Sequence, residues 1–154
     1  MDIQIKIDKS IDEDNIMLTV KKMTPEYSKI IDQIQNISFK LIGLKDNQKY
    51  QLMNTQILKI FSVDKKVCAI REDKQAFWLS ETLKELTVKL PNNFLRISHS
   101  EIVNADKIVS FELTFGGKLK IYLRSGEVTY SSRGYLQNIK EYFGIWTKLK
   151  NILS

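Results

Sequence analysis

One histidine and one cysteine bound the covalent and metal chemistry open to this chain. His99 is the only imidazole and Cys68 the only thiol among 154 residues. A general base needs an acid or nucleophile placed beside it, and no nucleophile elbow, P-loop or dinucleotide-binding glycine pattern supplies one. A metal site needs several ligands at fixed spacing, which a lone His and a lone Cys do not provide. Cys68 cannot form an internal bridge, and between Val67 and Ala69 on a strand it reads as a small buried apolar group. The expectation is a chain with no catalytic residues, cofactor, metal or small-molecule substrate.

The remaining reactive chemistry is charge. Net charge is +6, unevenly spread: residues 1–36 hold five basic and seven acidic groups, while residues 37–154 hold 19 basic and 11 acidic ones. The positive excess therefore belongs to the longer segment, as suits a surface that meets a polyanion; a solvated lysine-rich face would look the same. Basic and hydroxyl side chains cluster where turns are expected: Lys65 and Lys66, then Ser98, His99 and Ser100, then Ser132 and Arg133. Loop tips of this kind are where side chains can reach into a groove.

Short strands must carry those tips. Phe39 to Leu44, Tyr50 to Met53, Ile57 to Val63, Val67 to Arg71 and Gln75 to Leu79 are apolar-rich runs separated by Asp46-Asn47, Asp64-Lys65-Lys66 and Glu72-Asp73-Lys74. Ser80 can cap a short helix with Leu83, Leu86 and Leu90, stopped by Pro91. Phe94 to Ile97 and Ile102 to Asn104 flank the polar loop Ser98 to Glu101. A hairpin, Ile108 to Phe115 and Lys118 to Leu123, turns at Gly116-Gly117; Glu127 to Tyr130 follows Ser125-Gly126. Leu136, Ile139, Tyr142 and Phe143 have helical spacing within a helix expected from Arg133 to about Leu149. Phe77, Trp78 and Trp146 are expected to pack inside rather than stack on bases.

The first residues are different. Ile3, Ile5 and Ile7, then Ile16, Leu18 and Val20, alternate as half-buried strands around an acidic loop. Thr24-Pro25-Glu26 opens a helix whose stripe is Tyr27, Ile30, Ile31 and Ile34. This gives a small β-β-α unit over 1–37, suited to docking or dimerisation, ahead of a mainly β (α+β) domain over 38–150. No apolar run spans a bilayer and Met1 leads into charged residues, so the expected compartment is cytoplasmic.

One stretch is specific. Phe94-Leu95-Arg96-Ile97-Ser98-His99-Ser100-Glu101-Ile102-Val103-Asn104, with Asp106-Lys107-Ile108 after it, resembles the signature of LytTR (LytR/AlgR-type) DNA-binding domains. Leu83-Lys84-Glu85-Leu86 before Pro91 resembles the short helix ahead of that signature, and Ser131-Ser132-Arg133-Gly134-Tyr135 resembles the family's closing step into a last helix. Together they cover roughly residues 44–145. The resemblance implies an elongated β fold that inserts loops into successive major grooves of double-stranded DNA, and a role in transcription. It implies base or phosphate contacts from Lys65 and Lys66, His99 and Arg133, with Ser98, Ser100 and Ser132 fixing register on phosphates, and Lys107 and Lys140 adding charge.

The chain departs from the family where Glu101 occupies an often aromatic position and where His99 replaces a basic residue or Asn. The forty or so residues ahead of the motif are too few for a phosphate receiver, so a stand-alone regulator of the Gram-positive type is expected. By that analogy alone, the implied partners are a second copy on DNA and a membrane-bound inhibitor protein. The alternative is a β-rich protein- or RNA-binding module with a basic face.

Overall fold

The computed structural model describes residues 2–12 and 15–144. Trp146 and residues 145–149, over which the last helix is expected to run on, lie outside them.

Turn chemistry sets the layout. Helix α1 (Pro25–Ser38) begins where Thr24 Oγ1 accepts the Tyr27 N–H at 3.4 Å and Pro25 occupies the first turn. Strands β1 (Leu41–Lys45) and β2 (Gln48–Leu52) meet at Asp46-Asn47. Strands β3 (Ile57–Val63) and β4 (Lys66–Arg71) meet at Asp64-Lys65, and β5 (Ala76–Leu79) completes the meander. Both two-residue turns hold left-handed backbone at each centre: φ is 50° and 62° at Asp46 and Asn47, and 50° and 63° at Asp64 and Lys65. That is the turn whose twist matches paired antiparallel strands.

Helix α2 (Leu83–Lys89) is capped by Thr82, whose Oγ1 accepts the Glu85 N–H at 3.1 Å; the expected cap, Ser80, lies two residues too early to reach that amide. Strands β6 (Phe94–Ser98) and β7 (Glu101–Asn104) follow, then β8 (Ile108–Leu113), β9 (Leu119–Leu123) and β10 (Val128–Tyr130). Arg133–Tyr135 forms one 3-10 turn ahead of α3 (Leu136–Phe143), which ends at a left-handed Gly144.

The strands build two sheets, ordered β2-β1-β5-β4-β3-β7-β6 and β10-β9-β8. Two apolar cores result. Leu41, Ile57, Ile60, Phe77, Leu86, Phe94 and Ile102 pack with α2, while Leu58, Leu95, Ile97, Val103, Ile121 and Ile139 pack with the small sheet and α3. Alternation along β6 and β7 sends neighbouring side chains into opposite cores. The larger sheet is thus covered on both faces at its β3-β7-β6 end. Gly43 is required where β1 crosses Phe77, since a Cβ there would lie 2.6 Å from that side chain.

Coverage of the second face stops before β5. Phe77 is 1% exposed but its neighbour Trp78 is 45% exposed, which corrects the expectation that both pack inside. Period-2 geometry puts one of any such pair on each face, and only one face is covered there.

The N-terminal residues also depart from expectation. Residues 3–7 and 16–20 belong to no sheet, and Ile3, Ile5 and Ile7 are 81%, 86% and 85% exposed. Of the β-β-α unit only the helix is formed, because a lone hairpin cannot bury its own apolar face.

Candidate nucleic-acid interface

Strand register brings the basic loops to one end of the larger sheet. Val63 pairs with Lys66 and Ser98 with Glu101, so the β3–β4 and β6–β7 turns point the same way from adjacent hairpins. Ser62 N–H donates to the Ser100 carbonyl at 2.9 Å and ties one turn to the other. Ser132 N–H donates to Ile97 O at 2.8 Å, so the Ser132-Arg133 step departs beside the end of β6.

Each tip is braced differently. At Asp64-Lys65 the strained left-handed pair holds the turn, and Lys66 extends its ammonium over the Trp78 ring, 5.5 Å from the centroid. At His99-Ser100 the brace is Arg96. Its Nε donates to Ser98 O at 3.2 Å and its Nη2 to His99 O at 2.7 Å, while its guanidinium sits 5.7 Å from the Tyr135 ring centroid. Ser98 Oγ accepts the Ser100 N–H at 3.3 Å and lies 3.4 Å from Ser100 Oγ, so both serines are partly engaged within the turn. The His99 ring is carried on a loop whose backbone carbonyls are held at 98, 99 and 100.

The third tip couples two elements. Arg133 Nε donates to Gly116 O at 2.5 Å, clamping the glycine turn between β8 and β9 against the start of the 3-10 step. One of its five N–H groups is used there; the other four belong to the two Nη atoms. Phe115, at the apex of that turn, is fully exposed.

Lys65, Lys66 and His99 line one open cleft of about 610 Å³, together with Arg96, Lys84 and Trp78. Four cations face a single carboxylate there, Glu81. Ser98 and Ser100 flank His99 on the same turn and are not among the cleft's lining. Ser132 and Arg133 do not line it; they stand on the far side of β6. Lys65, Lys66, His99, Ser100 and Arg133 are exposed, and Ser98 and Ser132 half-buried.

Lys107 needs correction. It is buried and paired with Glu72 at 2.5 Å, so it braces the domain instead of extending a charged surface. The charge of Glu101 now has a place: its Oε2 accepts Thr129 Oγ1 at 2.9 Å and its Oε1 lies 3.8 Å from Lys59, which also pairs with Glu127 at 2.9 Å. This group pins β7 to β10 and hence one sheet to the other. Asn104 is buried between Asn54 O, Ile57 O, Asn93 and the Asp106 N–H, joining β3 to the start of β8. Cleft residues that spacing alone did not mark are Trp78 and Lys84. An outward position on a half-covered strand and a place in the first turn of α2 are the signals that would have found them.

The same span of the chain is matched by a family model: that of the LytTr DNA-binding domain, over residues 47–144. The chain belongs to the LytTR DNA-binding domain family. Its fold is similar to that of a solved LytTr DNA-binding domain, from a Bacillus cereus protein described as a putative methyl-accepting/DNA response regulator. The TM-score is 0.64 at 18% identity, covering 68% of this chain and 96% of that one. Two Staphylococcus aureus proteins, from strains NCTC 8325 / PS 47 and MRSA252, are each 33% identical over 147 residues, 94% of this chain and 99% of theirs; both are named uncharacterized HTH-type transcriptional regulators. In this LytTR chain the described helices α1, α2 and α3 are never consecutive: strands stand between each pair. Among the described residues no helix-turn-helix is formed and the basic groups ride on turns. No helix among them is long and apolar enough to cross a membrane.

Proposed function

We propose that this LytTR protein is a cytoplasmic, sequence-specific regulator of transcription that reads the major groove of double-stranded DNA through loop tips, two copies occupying two half-sites. Residues 38–150 form the DNA-binding domain and residues 1–37 an extension to it. The observation that carries the reading is the run of exposed neighbouring tips, Asp64-Lys65-Lys66, His99-Ser100 and Ser132-Arg133, along one end of a domain whose family is a DNA-binding one.

Side-chain chemistry divides the work. Lys65 and Lys66, flexible point charges, neutralise phosphates. Ser98, Ser100 and Ser132 donate to phosphates and fix register. His99, on its braced loop, contacts a base acceptor or phosphate. Arg133 reads guanine O6 and N7 end-on through its two Nη groups, because Nε is spent on Gly116. Catalysis forms no part of this reading.

Sequences selected from a random duplex pool supply the cognate site. On it Arg133→Ala is expected to lose about 1–3 kcal/mol and to relax one base position. Arg133→Lys, which keeps charge but not the fork, should relax the same position. An unchanged ratio of cognate to random binding in both variants refutes base reading by Arg133. One observation favours a second reading: exposed Trp78 beside Lys66 is a stacking platform with a cation, as in binders of single strands. Competition of cognate duplex, random duplex and single strand separates the two.

A further inference from the structure

The largest unexplained feature outside the tips is the apolar content of residues 2–23. Ile3, Ile5, Ile7, Ile11, Ile16, Met17, Leu18 and Met23 are all exposed large hydrophobics. At roughly 100 Å² for each such side chain, they offer on the order of 800 Å² per copy, the size one partner contributes to a stable protein interface. Exposed apolar surface of that extent on so short a segment marks an interaction region.

Two segments alternate with the same phase. Placing Ile7 opposite Ile16, Ile5 opposite Leu18 and Ile3 opposite Val20 makes a hairpin with all six on one face. Its strands differ in kind. Asp2, Gln4, Lys6 and Asp8 alternate with the isoleucines of the first, and Lys6 lies 4.0 Å from Asp8; charged side chains of this sort protect a free edge. Ile16-Met17-Leu18-Thr19-Val20 carries no charge and is built for the interior of a sheet.

That second strand is also self-complementary. Laid antiparallel on a copy of itself about Leu18, it sets Leu18 against Leu18, Ile16 against Val20 and Met17 against Thr19, keeping Ile16, Leu18 and Val20 on the hairpin's apolar face. The domain's own edge strand β2 is a poor alternative, since Gln48, Lys49 and Gln51 guard it. Helix α1, a short step further on, carries the stripe of Tyr27, Ile30, Ile31 and Ile34 that can cover the resulting sheet.

We propose that residues 3–7 and 16–20 form a β-hairpin that joins the same hairpin of a second copy through residues 16–20, giving a four-stranded sheet across a two-fold axis and a dimer before DNA is met. It deepens the reading of two copies on two half-sites and is tested apart from it.

The experiment is sedimentation equilibrium of the full chain, off DNA. The wild type is expected to be a dimer at micromolar concentration. Leu18→Asp, which sets two carboxylates face to face, should weaken self-association at least a hundredfold, and Ile5→Asp, on the outer strand, less. Neither side chain belongs to a domain core, so near-ultraviolet dichroism should be retained. Leu18→Cys should cross-link to itself on mild oxidation, because directly opposed antiparallel residues have Cα atoms within disulfide reach; Thr19→Cys, which faces position 17, should not. A monomeric wild type, a Leu18→Asp variant that stays dimeric, or equal cross-linking at 18 and 19 each overturns the proposal. Capture of some other protein by a monomeric chain overturns it equally. Binding to a duplex with a single half-site runs alongside: its absence in the wild type counts against the DNA reading and leaves the dimer standing.

Discussion

Lys65→Gly separates what the β3–β4 turn does for the fold from what it does for binding. Lys65 sits at φ 63° with Asp64 at φ 50°. A left-handed backbone costs an ordinary L residue about 1–2 kcal/mol, because Cβ crowds the following carbonyl. Glycine removes that crowding but loses about 0.5–1 kcal/mol more chain entropy on folding. The difference favours the variant by about 0.5–1 kcal/mol, and an aspartate followed by a glycine is a preferred pair for this turn type. In a chain of 154 residues that is a rise in Tm of roughly 1–4 °C.

Binding should move the other way. If Lys65 neutralises one phosphate, its loss makes the slope of log K against log salt shallower by about 0.9 and weakens cognate and random duplex alike. Lys66 is less clean, since its place over Trp78 mixes packing with charge. Thermal melts followed by circular dichroism give the first quantity, and fluorescence anisotropy across a potassium chloride series gives the second. A lowered Tm refutes the strain argument. A raised Tm with unchanged affinity and slope shows that Lys65 is spectator charge, and a loss confined to the cognate site shows that it reads a base.

Three other outcomes follow from buried or half-buried groups. Asn104→Ala leaves the Ile57 carbonyl without this donor and the Asp106 N–H without its acceptor, while Asn54 O keeps the Ile57 N–H; it should cost about 3 kcal/mol in denaturant melts, with Asn104→Asp no better. Burial first, and then the Asp106 carboxylate, raise Asp32 above the ordinary carboxylate value. Its neutral form is therefore the one that suits the fold: its contribution is whole below the ordinary value and is lost as pH rises through the raised one. Asp32→Asn should raise Tm at pH 7 and leave it unchanged at pH 3; equal gains at both refute the electrostatic cause. Burial also raises the Cys68 thiol, which should react with a disulfide reagent at pH 8 only as fast as the domain opens. Labelling within seconds in native buffer would reinstate a redox role.

The domain's strands were legible because the turns between them have chemistry of their own. Asp46-Asn47, Asp64 and Gly116-Gly117 tolerate left-handed backbone and mark ends that periodicity leaves loose. Thr82 against Ser80 shows the limit of such reading, for two hydroxyls lay within range of one helix start and only the amide they must accept decides between them. Trp78 shows another. Alternation requires that Phe77 and Trp78 face opposite ways, and packing both inside assumed that the second face is covered at β5; coverage is a property of distant chain. The same gap accounts for residues 3–7 and 16–20: a period of two says that a strand has an apolar side, and nothing local says whose surface meets it.

For the site, residue types were legible and commitments were not. Arg133 is basic and lies at the start of an element, yet its Nε is bound to Gly116, a residue seventeen positions away that a linear reading does not connect to it. The consequence is mechanical. With Nε fixed, the guanidinium plane takes its direction from the β8–β9 turn, so the base reading proposed for Arg133 depends on the glycine pair at that turn as well as on Arg133 itself. Gly116 and Gly117 stand at φ 91° and 79°, backbone that a side chain adopts only under strain. A glycine turn that accepts the Arg133 Nε–H ties the orientation of that guanidinium to the smaller sheet, which Glu101 and Thr129 pin in turn to the strand beneath His99. The tips are thereby held in mutual register by polar contacts between sheets, and on the proposed reading that rigid spacing is what would let loops, without a recognition helix, match the repeat of a duplex.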